Sequence, residues 1–309
     1  MTPLLHALAR HGRLVLVLGL IGGVFAPEFA ESMAPLIFPM VVFLLFLSTL
    51  RVDVLDAFPA WREVPGYLGI TVVMQVIMPL VAIGLLWVSG GLASLLGIGA
   101  VLVLAAAPLT GSPGLTLMVG GHPAPALRQL IVGTMLLPLT VIPVFWLMPV
   151  FGAPEVVAMA ALKLLLVIAL AGGAGLLLRR RGAFFRTAHG EKAVEGVITA
   201  VMSFVVIGLM SAVGPALRDS TSDVWVTLAV VCGLNFGAQV AVYLTLTRRG
   251  QREAAPAMAV IAGNRNLALF LGALPPETAS ALLLFIGCYQ VPMYLTPLVM
   301  APLLRRASG

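Results

Sequence analysis

The chain has 309 residues, of which 61% are hydrophobic and 10% charged, with a mean hydropathy of +1.10. That composition excludes an ordinary soluble domain and describes a polytopic membrane protein. The net charge of +6 does not indicate a nucleic-acid partner, because the basic residues fall in the connections between apolar runs, where membrane topology accounts for them. The two cysteines, Cys232 and Cys288, lie inside apolar segments without metal-ligand spacing, so the sequence supports neither a metal site nor a disulfide framework.

A hydrocarbon core of roughly 30 Å needs about 20 helical residues. Apolar runs predict helices at 13–30, 35–50, 64–88, 92–120, 124–150, 155–178, 192–214, 222–247, 253–273 and 277–303. The first follows Arg10 and Arg13 and imitates a signal peptide, but further spans follow, and it is read as a retained helix.

The expected fold is therefore an all-α, ten-span membrane protein. The connections on one side hold Arg10, Arg13, Arg51, Arg62, Arg128, Arg179, Arg180, Arg181, Arg186, Lys192, Arg248, Arg249, Arg252, Arg305 and Arg306. The other side holds Glu28, Glu31, Glu155, Asp219, Asp223 and Glu277, with Arg218 as its basic residue. This asymmetry places both termini in the cytoplasm of a bacterial-type inner or plasma membrane.

Two spans are abnormal. The run 92–120 is too long for a simple crossing and contains Ala107-Pro108-Leu109-Thr110-Gly111-Ser112-Pro113-Gly114, whose prolines remove helix donors and whose glycines loosen the backbone. The run Ala259–Leu271 is interrupted by Gly263-Asn264-Arg265-Asn266. An arginine at that depth costs about 2.5–3.5 kcal/mol on insertion scales unless it is compensated. The two breaks lie about half a chain apart, and the connection at Pro154 divides the sequence into repeats 1–153 (spans one to five) and 154–309 (spans six to ten). Five spans per half make the repeat inverted, and paired interrupted helices in inverted halves point to a transporter's central site.

These features come with a resemblance. Phe46-Leu47-Ser48-Thr49-Leu50 leading to Asp56-Ala57-Phe58, Ile77-Met78-Pro79, Gly120-Gly121-His122 and Gly263-Asn264-Arg265-Asn266-Leu267-Ala268 stand in the order and spacing that resemble the bile acid:sodium symporter family. The resemblance covers almost the whole chain. It implies a panel of spans one, two, six and seven, and a core of spans three to five and eight to ten. It also implies that spans four and nine cross behind the substrate cavity, and that an organic anion is carried with sodium.

The departures from the family pattern matter for mechanism. Ile261 stands where the resemblance would put a sodium-binding glutamate, and Arg265 where it would put a glutamine, while Asn266 is kept. Pro113-Gly114, beside Thr110 and Ser112, replaces a Ser-Asn pair, and Tyr289-Gln290 replaces a His-Asn pair. The substrate-binding candidates are Thr110, Ser112, Asn264, Arg265, Asn266, Tyr289 and Gln290. The ion-site region is Gln75, Thr134, Ile261, Arg265 and Gln239. No cofactor is expected. Sodium is the ion that the resemblance brings, and Ile261 and Arg265 speak against it.

No acidic residue falls near mid-membrane, so the carbonyls of the breaks are the expected partners of Arg265, with Gln75, Asn235 or Gln239 beside them. Three roles for Arg265 stay open: standing in for the ion, gripping an anionic substrate, or bracing the core. The partners expected are a small organic anion, either bile-acid-like or a small carboxylate or sulfonate, and membrane lipid. No oligomer is implied. HExxH, GxSxG, GxxxxGK[ST] and paired intramembrane aspartates are all missing, so the expectation is a non-enzyme. A sodium-coupled symporter with altered ion sites is the alternative, beside a sensor or channel of the same fold.

Overall fold

A computed structural model of the chain describes residues 2–51, 57–219 and 221–305. Asp56 and Arg306 therefore lie outside the described residues, as does the side chain of Arg13. The α-helices are α1 (Thr2–Arg10), α2 (Gly12–Phe25), α3 (Pro27–Met33), α4 (Ile37–Arg51), α5 (Val64–Val72), α6 (Met78–Val88), α7 (Leu95–Ala105), α8 (Ser112–Met118) and α9 (Pro123–Trp146). They continue with α10 (Pro154–Arg181), α11 (Ala188–Leu209), α12 (Val213–Asp219), α13 (Thr221–Arg248), α14 (Ala255–Gly263), α15 (Pro276–Ala281), α16 (Leu283–Val299) and α17 (Ala301–Leu304). Among the described residues the one β feature is an isolated bridge. Six helical stretches are long and apolar enough to cross a membrane: Pro27–Arg51, Val64–Val88, Pro123–Trp146, Pro154–Arg181, Ala188–Asp219 and Ser222–Arg248. The protein is an all-helical, multi-pass membrane protein.

The N-terminal elements depart from the expected boundaries. The helix expected over 13–30 ends at Phe25, and the one expected from 35 begins at Pro27. The reason is local. Pro27 sits at the first helical position, where its missing N–H costs nothing, and Glu28 sits in the first turn at the positive end of the helix dipole. Glu28 and Glu31 are thus helical rather than in a loop. Ahead of them α1 is a helix that the apolar runs did not reveal, and the chain turns by 87° between Leu4–Arg10 and Leu14–Phe25.

The chain divides into two compact units. The first is Met1–Asp56 with Leu165–Val224, and the second is Ala57–Leu164 with Trp225–Gly309.

In the first unit α11 packs against α1, α2 and α4 through small residues. Glycines on α2 at positions 12, 19 and 23 meet Thr199, Ser203 and Ile207 of α11 and Met210 just after it, which repeat at helical spacing. Leu47, Leu50 and Val194 form the buried apolar contact at the end where α4 stops. The buried Arg179 ties that end together. Its Nη1 donates to the carbonyls of Leu50 (3.0 Å), Arg51 (3.0 Å) and Phe185 (2.7 Å), and its Nη2 bonds Glu191 Oε1 at 3.0 Å. Leu50 and Arg51 close α4, and a cation suits the negative end of a helix.

This packing makes a paired prediction. A Cβ on Gly23 would sit 2.7 Å from Met210 Cβ and 2.8 Å from the Ile207 carbonyl, whereas one on Gly22 would meet nothing within 4 Å. Gly23→Leu is expected to destabilise by about 1–3 kcal/mol through overpacking. Gly22→Leu should leave the thermal unfolding curve of the purified protein unchanged.

In the second unit Pro79 shapes the stretch after α5. It has no N–H to give the Gln75 carbonyl, and its ring clashes with that group. The helix widens into a π-turn over Val73–Ile77, and Met74 and Gln75 are both buried there. The helices expected over 92–120 and 253–273 are both interrupted. The first splits into α7 and α8. The second becomes α14 followed by a 3-10 stretch, Leu267–Gly272.

Candidate functional site

The two interruptions meet. Proline at 108 drives Ala107 out of the helical region, and Ala106 is extended at φ −65°, ψ 152°. Asn264 is extended too, at φ −108°, ψ 99°. These two extended segments pair as an antiparallel bridge centred on Pro108 and Arg265. The Leu109 N–H donates to the Asn264 carbonyl at 2.9 Å, and the Asn266 N–H donates to the Ala107 carbonyl at 2.8 Å. Backbone groups that the broken helices leave without partners are thereby satisfied by each other, as a low-dielectric interior requires.

Arg265 lies within this junction and is 1% exposed. Its Nη1 donates to the Ala106 carbonyl at 3.1 Å and its Nε to the Ala262 carbonyl at 3.1 Å. Ala106 caps α7 and Ala262 is in the last turn of α14, so the guanidinium sits against the negative ends of two helices at once. Among the described residues no carboxylate pairs with it, and its Nη2 has no hydrogen-bond partner. The carbonyl partners are of the kind the sequence suggested, whereas Gln75, Asn235 and Gln239 bond elsewhere.

Two polar groups flank the junction. Beside Pro108, Gln75 Nε2 donates to the Gly133 carbonyl at 3.1 Å, and its Oε1 accepts from Thr140 Oγ1 at 2.8 Å. A Cβ on Gly133 would lie 2.9 Å from both Gln75 Nε2 and Pro108 Cδ, so glycine permits this close approach. Beside Gly263, the Asn235 amide donates to the Gly263 carbonyl, and Gln239 Nε2 donates to Asn235 Oδ1 (2.6 Å) and Thr296 Oγ1 (3.0 Å). Thr296 Oγ1 lies 3.2 Å from Asn264 Oδ1, and Asn264 Nδ2 donates to the Val260 carbonyl at 2.8 Å. The Tyr289 hydroxyl donates to the Gly263 carbonyl and accepts from the Arg265 N–H at 3.3 Å.

No protein-family model matches the chain, and no curated protein matches it. The reading of the site therefore rests on its geometry.

The substrate-binding candidates separate into four groups. Asn264, Arg265 and Tyr289 are buried and committed to holding the junction. Thr110 and Asn266 are half-buried at the junction. Ser112 is fully buried, and its hydroxyl has no partner among the described residues. Gln290 does not join them, because its amide bonds back to the Ile286 carbonyl of its own helix at 3.2 Å.

The ion-site candidates do not converge on one point. Gln75 belongs to the Pro108 side and Gln239 to the Gly263 side. Thr134 makes no side-chain hydrogen bond among the described residues. Ile261 is fully buried in an apolar cluster with Met74, Ala126, Ala238, Ala257, Met258 and Ala262. An oxygen cage for a cation cannot be built from that lining.

Thr140 and Thr296 were not singled out from sequence. A threonine in an apolar helix ordinarily bonds its own backbone, as Thr296 also does to the Pro292 carbonyl at 3.0 Å. The available signal was the spacing. Thr296 lies seven residues after Tyr289, and Asn235 and Gln239 lie four apart, so each pair shares a helix face.

Proposed function

We propose that this protein is a secondary transporter of an organic anion that works by alternating access, with Arg265 supplying the charge that a sodium ion supplies in the family it resembles. The observation that carries this reading is the Arg265 guanidinium held between the Ala106 and Ala262 carbonyls, at the meeting point of two broken helices. Half-helix C-termini coordinate coupling cations in transporters of inverted-repeat design. Here a tethered cation takes that position, and the lining around Ile261 is apolar.

The ten-span, inverted-repeat arrangement belongs to the same proposal. Beyond the paired breaks, prolines inside α9 at 138 and 143 recur in α16 at 292 and 297, each 154 residues later (292 − 138 and 297 − 143). Each compact unit draws one segment from either half of the chain, as a panel and a core would. The half-buried Thr110 and Asn266 are the substrate contacts on this reading, and both termini are cytoplasmic. The protein would need no cofactor and catalyse no reaction.

The burial of Arg265 favours the ion-substitute role over direct contact with substrate. The free Nη2 is the one observation on the other side, since it could still donate to a carboxylate or sulfonate if the junction opened.

The test of transport is counterflow in liposomes. Organic anions that raise the melting temperature of the purified protein would be loaded as labelled substrate. Saturable exchange against unlabelled anion supports the carrier. Steady single-channel currents would make the protein a pore, and binding without flux would make it a sensor.

A further inference from the structure

Arginines and a lysine crowd one end of the first unit, where α1, the end of α10 and the start of α11 come together. The edge of one imidazole meets the other between His6 and His189, with ring centroids 4.6 Å apart, and Phe184 packs on His189 at 6.2 Å. A Cβ on Gly196 would lie 2.2 Å from the Leu5 carbonyl, so α1 runs directly along α11.

Both acidic residues described at this end are already engaged. Glu191 pairs with Arg179 at 3.0 Å, and Glu195 with Arg51 at 3.5 Å. Arg10, Arg180, Arg181, Arg186 and Lys192 remain exposed, without a carboxylate in ion-pair reach among the described residues. Beside these charges stand exposed apolar side chains, Leu4 at 67% exposure and Phe184 at 49%. The 87° turn after α1 sets this short helix, which carries both Leu4 and Arg10, across the α2 helix that follows it.

We infer that this end of the first unit is a binding surface for anionic phospholipid. The headgroup phosphate is held by Arg180, Arg181, Arg186 and Lys192 with Arg10 beside them, and Leu4 and Phe184 enter the acyl-chain boundary. Basic clusters next to membrane helices attract anionic headgroups, and an adjoining apolar side chain adds buried area that a soluble phosphate cannot offer.

The experiment is native mass spectrometry of the full chain, released from nanodiscs made of phosphatidylglycerol and phosphatidylcholine in equal parts. The wild-type protein should retain phosphatidylglycerol in preference to phosphatidylcholine. The variant carrying Arg180→Gln, Arg181→Gln, Arg186→Gln and Lys192→Gln should lose that preference, by about five-fold for each charge removed. The same positions changed to lysine, with Lys192 kept, should retain it. Leu4→Ser with Phe184→Ser should weaken retention while leaving every charge in place, which guards against a quadruple variant that fails to fold. Equal retention of the two lipids by the wild-type protein would overturn the proposal, as would undiminished retention by the glutamine variant. Competition by millimolar inorganic phosphate as effective as that by phosphatidylglycerol would also overturn it, since the site would then be one for phosphate alone.

Discussion

Arg265→Ala is expected to unfold the junction or leave it barely stable. The change strips the Ala106 and Ala262 carbonyls of their shared donor in a buried setting. Each buried acceptor left without a partner costs about 1–3 kcal/mol, so the pair amounts to about 2–6 kcal/mol, before any loss from the cavity. That is comparable with the whole stability of many domains. The measurement is thermal unfolding of purified variant and wild type in the same detergent, with substrate uptake recorded in parallel. Arg265→Lys should fall between them, because an ammonium is a point donor and cannot span both carbonyls as the planar guanidinium does. The alanine variant also separates two of the roles considered for Arg265. If the side chain stands in for an ion, sodium chloride should raise the melting temperature of Arg265→Ala above that in choline chloride, with no such difference in the wild type. A residue that merely braces the core would leave the variant indifferent to the cation.

Gly263→Ala is expected to be almost as damaging, for a steric reason. A Cβ there would lie 2.3 Å from the Asn235 backbone carbonyl and 2.5 Å from Gln239 Cγ. Backbone cannot swing aside as a flexible side chain can, so α13 and α14 must separate. Overpacking of this kind typically costs about 1–3 kcal/mol. The separation also pulls Asn235 from the Gly263 carbonyl and loosens the Thr296 and Asn264 contacts that depend on it. Loss of bonds to buried acceptors then adds to the steric cost. Gly237→Ala on the same face-to-face pair of helices is the control, since a Cβ there meets nothing within 4 Å. A melting temperature for Gly263→Ala equal to that of Gly237→Ala would contradict this account of the junction.

Some of this was legible in the sequence and some was not, for physical reasons. The breaks at Pro108–Gly114 and Gly263–Asn266 were visible because prolines, glycines and a charge in apolar runs violate the chemistry of a membrane helix. Their pairing through Pro108 and Arg265 was not, because helical periodicity carries no information about the register in which two irregular segments meet. The carbonyl partners of Arg265 could be named as a class from the absence of nearby acids. Ala106 and Ala262 in particular depended on where each helix stops. Thr140 and Thr296 escaped notice because a hydroxyl in an apolar helix gives the same sequence signal whether it bonds its own backbone or a neighbour. The helix α1 escaped because nine residues are too few for a span, and His6 and Arg10 interrupt its short apolar stretch.

If the tethered guanidinium of Arg265 stands in for a coupling ion, uptake into liposomes by the purified protein should not need sodium. Initial rates would be measured with an outside buffer of sodium chloride and again with choline chloride at equal ionic strength, using an anion found to bind. The same saturable uptake is expected in both buffers. Uptake that occurs in sodium and vanishes in choline would contradict it.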